Sequence, residues 1–153
     1  MQLSEILDPS LIMYPLEVET KSDVIVTLID LLHSARKIHN PEEAKQAVLQ
    51  REELMSTGVG RGVALPHGKC PNIDEVFVAV GVSNQGIDFD AVDEQPAQIF
   101  VLILTPENYP SKHLKLLSKF SRMLNTAKCR EEILQAKSPE AIAEIFYRYE
   151  QLV

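Results

Sequence analysis

Apolar positions recur along this chain with two periods, and the switches between them mark out its elements. After Ser22, the residues Val24, Leu28, Leu31, Leu32 and Ala35 fall on one side of a repeat of about 3.6 residues, which predicts a first helix with Ser22 or Asp23 as its N-cap. Asn40-Pro41-Glu42-Glu43 supplies a cap, a proline for the first helical position and an acid for the third, so a second helix starts there. That helix turns Ala44, Ala47, Val48 and Leu54 inward and carries Arg51 near its C-terminal end. Beyond it the period shortens. Val63-Ala64-Leu65 reads as a short buried strand ending at His67, and Glu75 to Val82 as the next. Gln98 to Leu104 is almost continuously apolar, as a central strand covered on both faces should be.

Between these strands, Gln85-Gly86-Ile87-Asp88-Phe89-Asp90 reads as a turn with an edge strand. Thr105 to Pro110 is a loop, after which Ser111 is placed to cap a helix carrying Leu114, Leu117, Phe120, Met123 and Leu124, with His113 in its first turn. A helical stretch covers Lys128 to Ala136, and Ser138-Pro139-Glu140 opens a terminal helix with Ile142, Ile145, Phe146 and Tyr149 on its inner side. Residues 1–20 look irregular, with a possible short strand at Leu11-Ile12-Met13-Tyr14 closed by Pro15. Strands separated by helices predict an α/β sandwich. No repeat, low-complexity run or linker interrupts it, so residues 1–153 are expected to form one domain.

Composition narrows the class. With 45% hydrophobic and 24% charged residues and no Trp, the chain suits an ordinary globular protein with an aliphatic interior. A net charge of -7 disfavours a broad surface for nucleic acid or anionic membrane and points to partners that are neutral or locally basic. Cys70 and Cys129 lack C-x-x-C spacing and suit a reducing compartment. No apolar run approaches the roughly 18 residues of a membrane span, and Met1-Gln2-Leu3-Ser4-Glu5 lacks the basic start of a signal peptide. The expected location is the cytoplasm, without membrane insertion.

The candidate chemistry concentrates between Arg51 and Gly68. Three glycines at alternate positions, Gly58, Gly60 and Gly62, precede Pro66-His67-Gly68, a stiff turn expected to leave the imidazole approachable. A ring with an ordinary pKa near 6.5 is mostly neutral at cytoplasmic pH and keeps a free lone pair, which makes His67 a possible nucleophile. Arg51 balances the helix dipole or binds an anion. Dinucleotide and P-loop readings fail: the glycines precede a strand instead of following one, and Cys70 stands where a P-loop has Ser or Thr. A metal site on His67 and Cys70, or with His113 and Cys129, lacks the usual closely spaced ligand pairs, and a Cys70 nucleophile has no evident oxyanion hole. His33 and His39 suit a helix end and the surface. A phosphoryl-accepting histidine accounts for more of these residues: Ser56, Thr57, the backbone of Gly58 and Gly60, and Arg51 could surround three phosphoryl oxygens. His113, near a helix N-terminus, is either a neutral donor to the same group or a surface residue.

Arg51-Glu52, Ser56-Thr57-Gly58-Val59-Gly60 and Ala64-Leu65-Pro66-His67-Gly68 together resemble the enzyme IIA domain of the fructose, mannitol and nitrogen-regulatory phosphotransferase systems. The likeness continues through Gly86-Ile87-Asp88-Phe89-Asp90, Gln95-Pro96, the apolar strand ending at Pro106, and His113-Leu114 with Leu117. It implies a three-layer α/β/α sandwich around a mixed sheet. It also implies a phosphohistidine carrier in which His67 takes a phosphoryl group from HPr, usually on the distal ring nitrogen, with Arg51 and His113 lining the site. No metal or cofactor is implied, the phosphoryl group originating in phosphoenolpyruvate. Glu94 departs from the glycine many relatives have after the aspartate matching Asp93, and Arg61 occupies a variable position where it adds positive potential. A chain without fused transporter domains is most like the nitrogen-regulatory branch, which binds target proteins according to phosphorylation. The alternatives are a sugar-import component passing phosphate to enzyme IIB, and a binding module in which His67 moves no phosphate.

Overall fold

A computed structural model describes residues 2–108 and 110–153, with the backbone alone at Pro110. Its centre is a six-stranded mixed sheet ordered β1 (Ile12–Met13), β5 (Phe77–Ile87), β6 (Ala97–Pro106), β3 (Val63–Ala64) and β2 (Gly58–Gly60), with β4 (His67–Cys70) also paired to β6. β5 and β6 are antiparallel, whereas β3 and β4 both run parallel to β6. All of β6 except Gln98 is buried, which is why its sequence shows no polar alternation.

The pleat sorts the helices. A Cβ built on Gly81 would lie 2.8 Å from Leu16 Cδ2 and 3.3 Å from Leu28 Cδ2, so this face carries α2 (Lys21–Ser34). One at Gly68 would meet the Val48 backbone nitrogen at 3.1 Å and the Ala47 carbonyl carbon at 3.2 Å, which puts α3 (Pro41–Leu54) on the same face. Side chains alternate along a strand, so His67 and Lys69 point to the opposite face. There α4 (Pro110–Leu124), α5 (Ala127–Gln135) and α6 (Pro139–Glu150) pack, with Phe120 of α4 edge-on to Phe146 of α6 at 5.9 Å. The result is the expected three-layer α/β/α sandwich. Glu150, at the end of α6, accepts the Leu3 amide at 3.0 Å and Lys119 Nζ at 2.6 Å, tying the start of α1 (Leu3–Ile6) to α4 and α6.

Several local expectations are corrected. Residues before α2 hold α1, a 3-10 turn at Pro9–Leu11 and β1, with only Ile12 and Met13 in a strand. The cap of α2 is Thr20, whose hydroxyl accepts the Asp23 amide at 3.1 Å, instead of Ser22 or Asp23. The Asn40 cap of α3 is as expected, yet Leu54 is 84% exposed because the helix ends there, past the sheet. On α4, Pro110 takes a first-turn position and Ser111 lies inside the helix; Tyr109, expected in the loop, falls outside the described residues. The inward stripe of α4 is His113, Leu116, Phe120, Met123 and Leu124, so Leu114, at 67% exposure, faces out. β5 continues through the predicted turn to Ile87, with an irregular register after Val82 and Gly86 at φ +83°. Glycine makes that irregularity accessible.

Gly68 is in a strand, where it is needed for the close approach of α3. Gly68→Ala is expected to push α3 from the sheet and lower stability by about 1–3 kcal/mol in urea unfolding. Gly62→Ala, with open space and a φ of +80°, should cost only the left-handed strain, about 1–2 kcal/mol.

Candidate functional site

His67 opens β4 at a break in what would otherwise be one strand. β3 pairs Val63 with Ile99 and Ala64 with Phe100, and β4 resumes the same register with His67 opposite Ile103. Leu65 and Pro66 are the interruption. Pro66 has no amide hydrogen, but its carbonyl accepts the Ile103 amide at 3.0 Å, and the Leu65 amide leaves the β6 ladder for the Thr57 carbonyl, also at 3.0 Å. The Leu65 carbonyl is thereby available to the ring two residues on, and His67 Nδ1 lies 2.7 Å from it. A carbonyl oxygen only accepts, so Nδ1 carries a hydrogen. In the neutral ring the lone pair is then on Nε2.

The ring is far less open than the sequence led us to expect: His67 is 9% exposed. Gly68 does not fold away after it; the strand runs on, α3 closes over one face, and α4 brings His113 onto the ring from the other. The two imidazoles meet edge to face with centroids 4.6 Å apart. His113 Nδ1 is 3.1 Å from the hydroxyl of Thr105, which is fully buried. Burial, helped by the neighbouring His67, Lys69 and Arg51, pushes the His113 pKa down to about 4. Burial also lowers that of His67; the Leu65 hydrogen bond opposes the shift, Arg51 adds to it and Glu52 works against it. At neutral pH both rings are uncharged.

Arg51 and Glu52 bring the end of α3 to the site. Arg51 is half-buried, and its Nη1 donates to the Met55 carbonyl at 2.8 Å, closing its own helix end while remaining close enough to lower both histidine pKa values. Glu52 is 7% exposed and accepts the Thr57 amide at 2.8 Å, the Thr57 hydroxyl, and Lys21 Nζ at 3.0 Å. Lys21 also reaches Asp90 at 2.9 Å and lies over the Phe89 ring. Its burial works against the charge, but the bonds to Asp90 and Glu52 outweigh that and raise its pKa. Ser56 Oγ donates to the Phe89 carbonyl at 2.5 Å and accepts the Gly58 amide at 3.0 Å.

The donors of Ser56, Thr57 and Gly58 that were expected around a phosphoryl group therefore already have acceptors within the fold. The glycines are explained by packing: a Cβ on Gly58 would come within 3.0 Å of the Phe89 carbonyl oxygen, and Gly60, at φ +90°, sits against Asp93. Glu52, Lys21, Thr105 and the Leu65 carbonyl were missed by sequence reasoning. Only the Arg51-Glu52 pair gave a signal, and its acidic member pointed to no partner. Cys70 and Cys129 are buried and pushed up to about 11, so neither is a thiolate at neutral pH. His33 and His39 are exposed. Among the described residues no three His, Cys, Asp or Glu side chains converge to hold a metal ion, and no helix is long and apolar enough to cross a membrane.

Comparison with known proteins identifies the family and the fold. Residues 5–149 match the family model of the phosphoenolpyruvate-dependent sugar phosphotransferase system, EIIA 2. The chain is 32% identical over 151 residues to the fructose-specific EIIABC component of the phosphotransferase system of Bacillus subtilis, spanning 99% of itself but only 24% of that protein. It is 31% identical over 147 residues to a nitrogen regulatory protein of Bradyrhizobium diazoefficiens, covering 95% of this chain and 94% of the other. Among solved structures it is similar to the nitrogen regulatory protein IIA-Ntr of Neisseria meningitidis, with a TM-score of 0.87, 30% identity, and 94% and 98% of the two chains covered. A strand broken beside a neutral, hydrogen-bonded histidine thus sits in a fold and sequence shared with phosphocarriers of one kind, and the chain belongs to the EIIA type 2 family of the phosphoenolpyruvate-dependent phosphotransferase system.

Proposed function

We propose that His67 is the phosphoryl acceptor and that it reacts through Nε2. The observation that carries this reading is the 2.7 Å contact between His67 Nδ1 and the Leu65 carbonyl, which keeps the proton on Nδ1 and the lone pair on the far nitrogen. Nε2 attacks the phosphorus of a phosphohistidine on an HPr-type carrier. The donor's phosphorus–nitrogen bond breaks, its electron pair returning to the donor ring, as the new bond to Nε2 forms. The phosphorylated ring then bears positive charge, which the Leu65 carbonyl and the Glu52 carboxylate favour. Arg51 and the uncharged His113 face the phosphoryl oxygens as donors. The phosphoryl group comes ultimately from phosphoenolpyruvate, and no resident cofactor takes part.

For the wider role, the regulatory reading is supported by the nearly end-to-end match to nitrogen regulatory proteins. Phosphorylation would then set which target protein is bound. A sugar-uptake role, with onward transfer to an enzyme IIB, is favoured by a different observation: the chain is 37% identical over 126 residues to the fructose-specific EIIA component of Haloferax volcanii, covering 82% of each. A solved complex of the Escherichia coli enzyme IIAMTL with phosphorylated enzyme IIBMTL shows that protein engaged with its partner; its 21% identity to this chain speaks for the fold alone.

Incubation with phosphoenolpyruvate, enzyme I and HPr should give an acid-labile, alkali-stable phosphate on the wild type and none on His67→Ala. Label retained by His67→Ala would remove His67 as acceptor, and rapid discharge to a sugar-specific enzyme IIB would decide for uptake. His113→Ala should slow transfer by about tenfold or more without changing the circular dichroism spectrum; an unchanged rate would exclude it from the chemistry.

The pH response has a defined sign. Both histidine pKa values are lowered in the folded state, so above about pH 6.5 neither burial costs stability. Below that the unfolded chain protonates first, and stability declines as pH falls toward the folded value of His113, about 4. Transfer should likewise fade as pH drops through the lowered pKa of His67, because protonated Nε2 has no lone pair. NMR titration of the two ring signals checks this, with the His67 midpoint expected below 6.5 and that of His113 near 4.

A further inference from the structure

β6 is apolar from Ile99 to Leu104 and then brings in a hydroxyl, that of Thr105, which is fully buried. Thr and Val share a β-branched shape that suits a buried strand, but the hydroxyl costs free energy there unless it is bonded. In register Thr105 lies opposite Lys69, two positions after the Ile103 that pairs with His67, so its side chain is on the face covered by α4. There its oxygen is 3.1 Å from His113 Nδ1, and among the described residues that nitrogen is its only hydrogen-bond partner.

A single partner decides which group donates. A hydroxyl has one hydrogen and two lone pairs, and each nitrogen of a neutral imidazole is either a donor or an acceptor. If Nδ1–H donated to Thr105, the hydroxyl hydrogen would be buried without an acceptor. If Thr105 donates to a bare Nδ1, only lone pairs of its oxygen go unused, which costs less. The hydrogen of the neutral His113 ring is then on Nε2. His67 is held the other way round, because the Leu65 carbonyl cannot donate and keeps the hydrogen on Nδ1. Neither Nε2 has a partner among the described residues, whereas every fully buried side-chain nitrogen or oxygen among them has one, so both Nε2 atoms reach solvent. Two rings in edge contact therefore offer unlike atoms to the outside, a lone pair from His67 and an N–H from His113.

We propose that Thr105 is a positioning residue for phosphoryl transfer: by donating to His113 Nδ1 it fixes the tautomer that presents Nε2–H to the phosphoryl oxygens. In the opposite tautomer His113 would turn a second lone pair toward the anion and repel it. The inference rests on the phosphoryl-transfer reading of His67 and adds to it the reason His113 is a donor. A charged ring would donate from both nitrogens whatever its neighbours; burial keeps this one neutral, so its tautomer has to be set. Long-range proton–nitrogen NMR of the isotope-labelled protein at neutral pH distinguishes a protonated ring nitrogen from a bare one. It should show the hydrogen of His67 on Nδ1 and that of His113 on Nε2, and in Thr105→Val the His113 signals should move toward a mixture of tautomers. Transfer from the phosphorylated HPr-type carrier should slow about threefold in Thr105→Val, as the competent tautomer becomes a fraction of the population. It should recover in Thr105→Ser, which keeps the hydroxyl. Added to His113→Ala, Thr105→Val should slow transfer no further, since it acts only through that ring.

Three results would each overturn the Thr105 inference and leave His67 as acceptor: a wild-type His113 with its hydrogen on Nδ1, an unchanged rate in Thr105→Val, or a loss in the double variant equal to the product of the two single losses. Failure of wild-type His67 to take up phosphate would overturn the transfer reading, and the part of Thr105 in it, whichever tautomer the spectrum shows.

Discussion

The hydrogen bond from His67 Nδ1 to the Leu65 carbonyl is the constraint on which the site depends. A carbonyl inside a regular ladder would already be used, so the bond exists because the strand is interrupted for two residues while its register on β6 continues unchanged. Pro66 makes the interruption inexpensive, since it has no amide hydrogen to lose. What results is an imidazole with one tautomer, one orientation and one free nitrogen. Its burial keeps it uncharged, and the neighbouring ring of His113 shares that condition for the same reason. Two buried neutral histidines in edge contact avoid the repulsion that two imidazolium ions would suffer at 4.6 Å.

Around this pair the polar residues divide into those that build and those that face the site. Glu52, Lys21, Thr57 and Ser56 join the end of α3, the start of α2 and the segment from Phe89 to Asp90. Glu52 is a buried carboxylate and would be costly if unpaired; here two donors of Thr57 and the ammonium of Lys21 satisfy it. The glycine-rich turn is part of the same construction, because a Cβ at Gly58 would press on the Phe89 carbonyl at 3.0 Å and on Ala91 at 3.1 Å and force them to give way. Arg51, close enough to lower the pKa of both rings, and His113, in edge contact with His67, are the neighbours to which the proposed transfer gives the incoming anion.

Much of the layer architecture was legible because it rests on periodicity: Val24 and Leu28 on α2, Val48 on α3, Phe120 and Met123 on α4, and the unbroken apolar run of β6 all lie where their spacing put them. Errors came where two patterns overlapped. Leu114 and Leu116 fit neighbouring helical stripes, and only packing against β6 tells which is inside. β4 was missed because Pro66-His67-Gly68 has the composition of a turn, and no local signal shows that a parallel neighbour holds it extended. At the site, His67, His113 and Arg51 could be singled out, whereas the partners of Glu52 and the Thr105 hydroxyl come from far along the chain and become visible only when the strands are side by side. The degree of burial of His67 was misjudged for the same reason, since α4 covers it from more than forty positions away.

The bond network of Glu150 has a different consequence. By holding the Leu3 amide, this carboxylate brings the first helix against the last, so the two ends of the domain adjoin. A polypeptide that enters and leaves a folded unit at neighbouring points can be extended on either side, or set inside a larger assembly of domains, without threading past the sheet. A stretch 32% identical to this chain within a Bacillus subtilis polypeptide about four times as long, and relatives of its own length, are what that geometry permits.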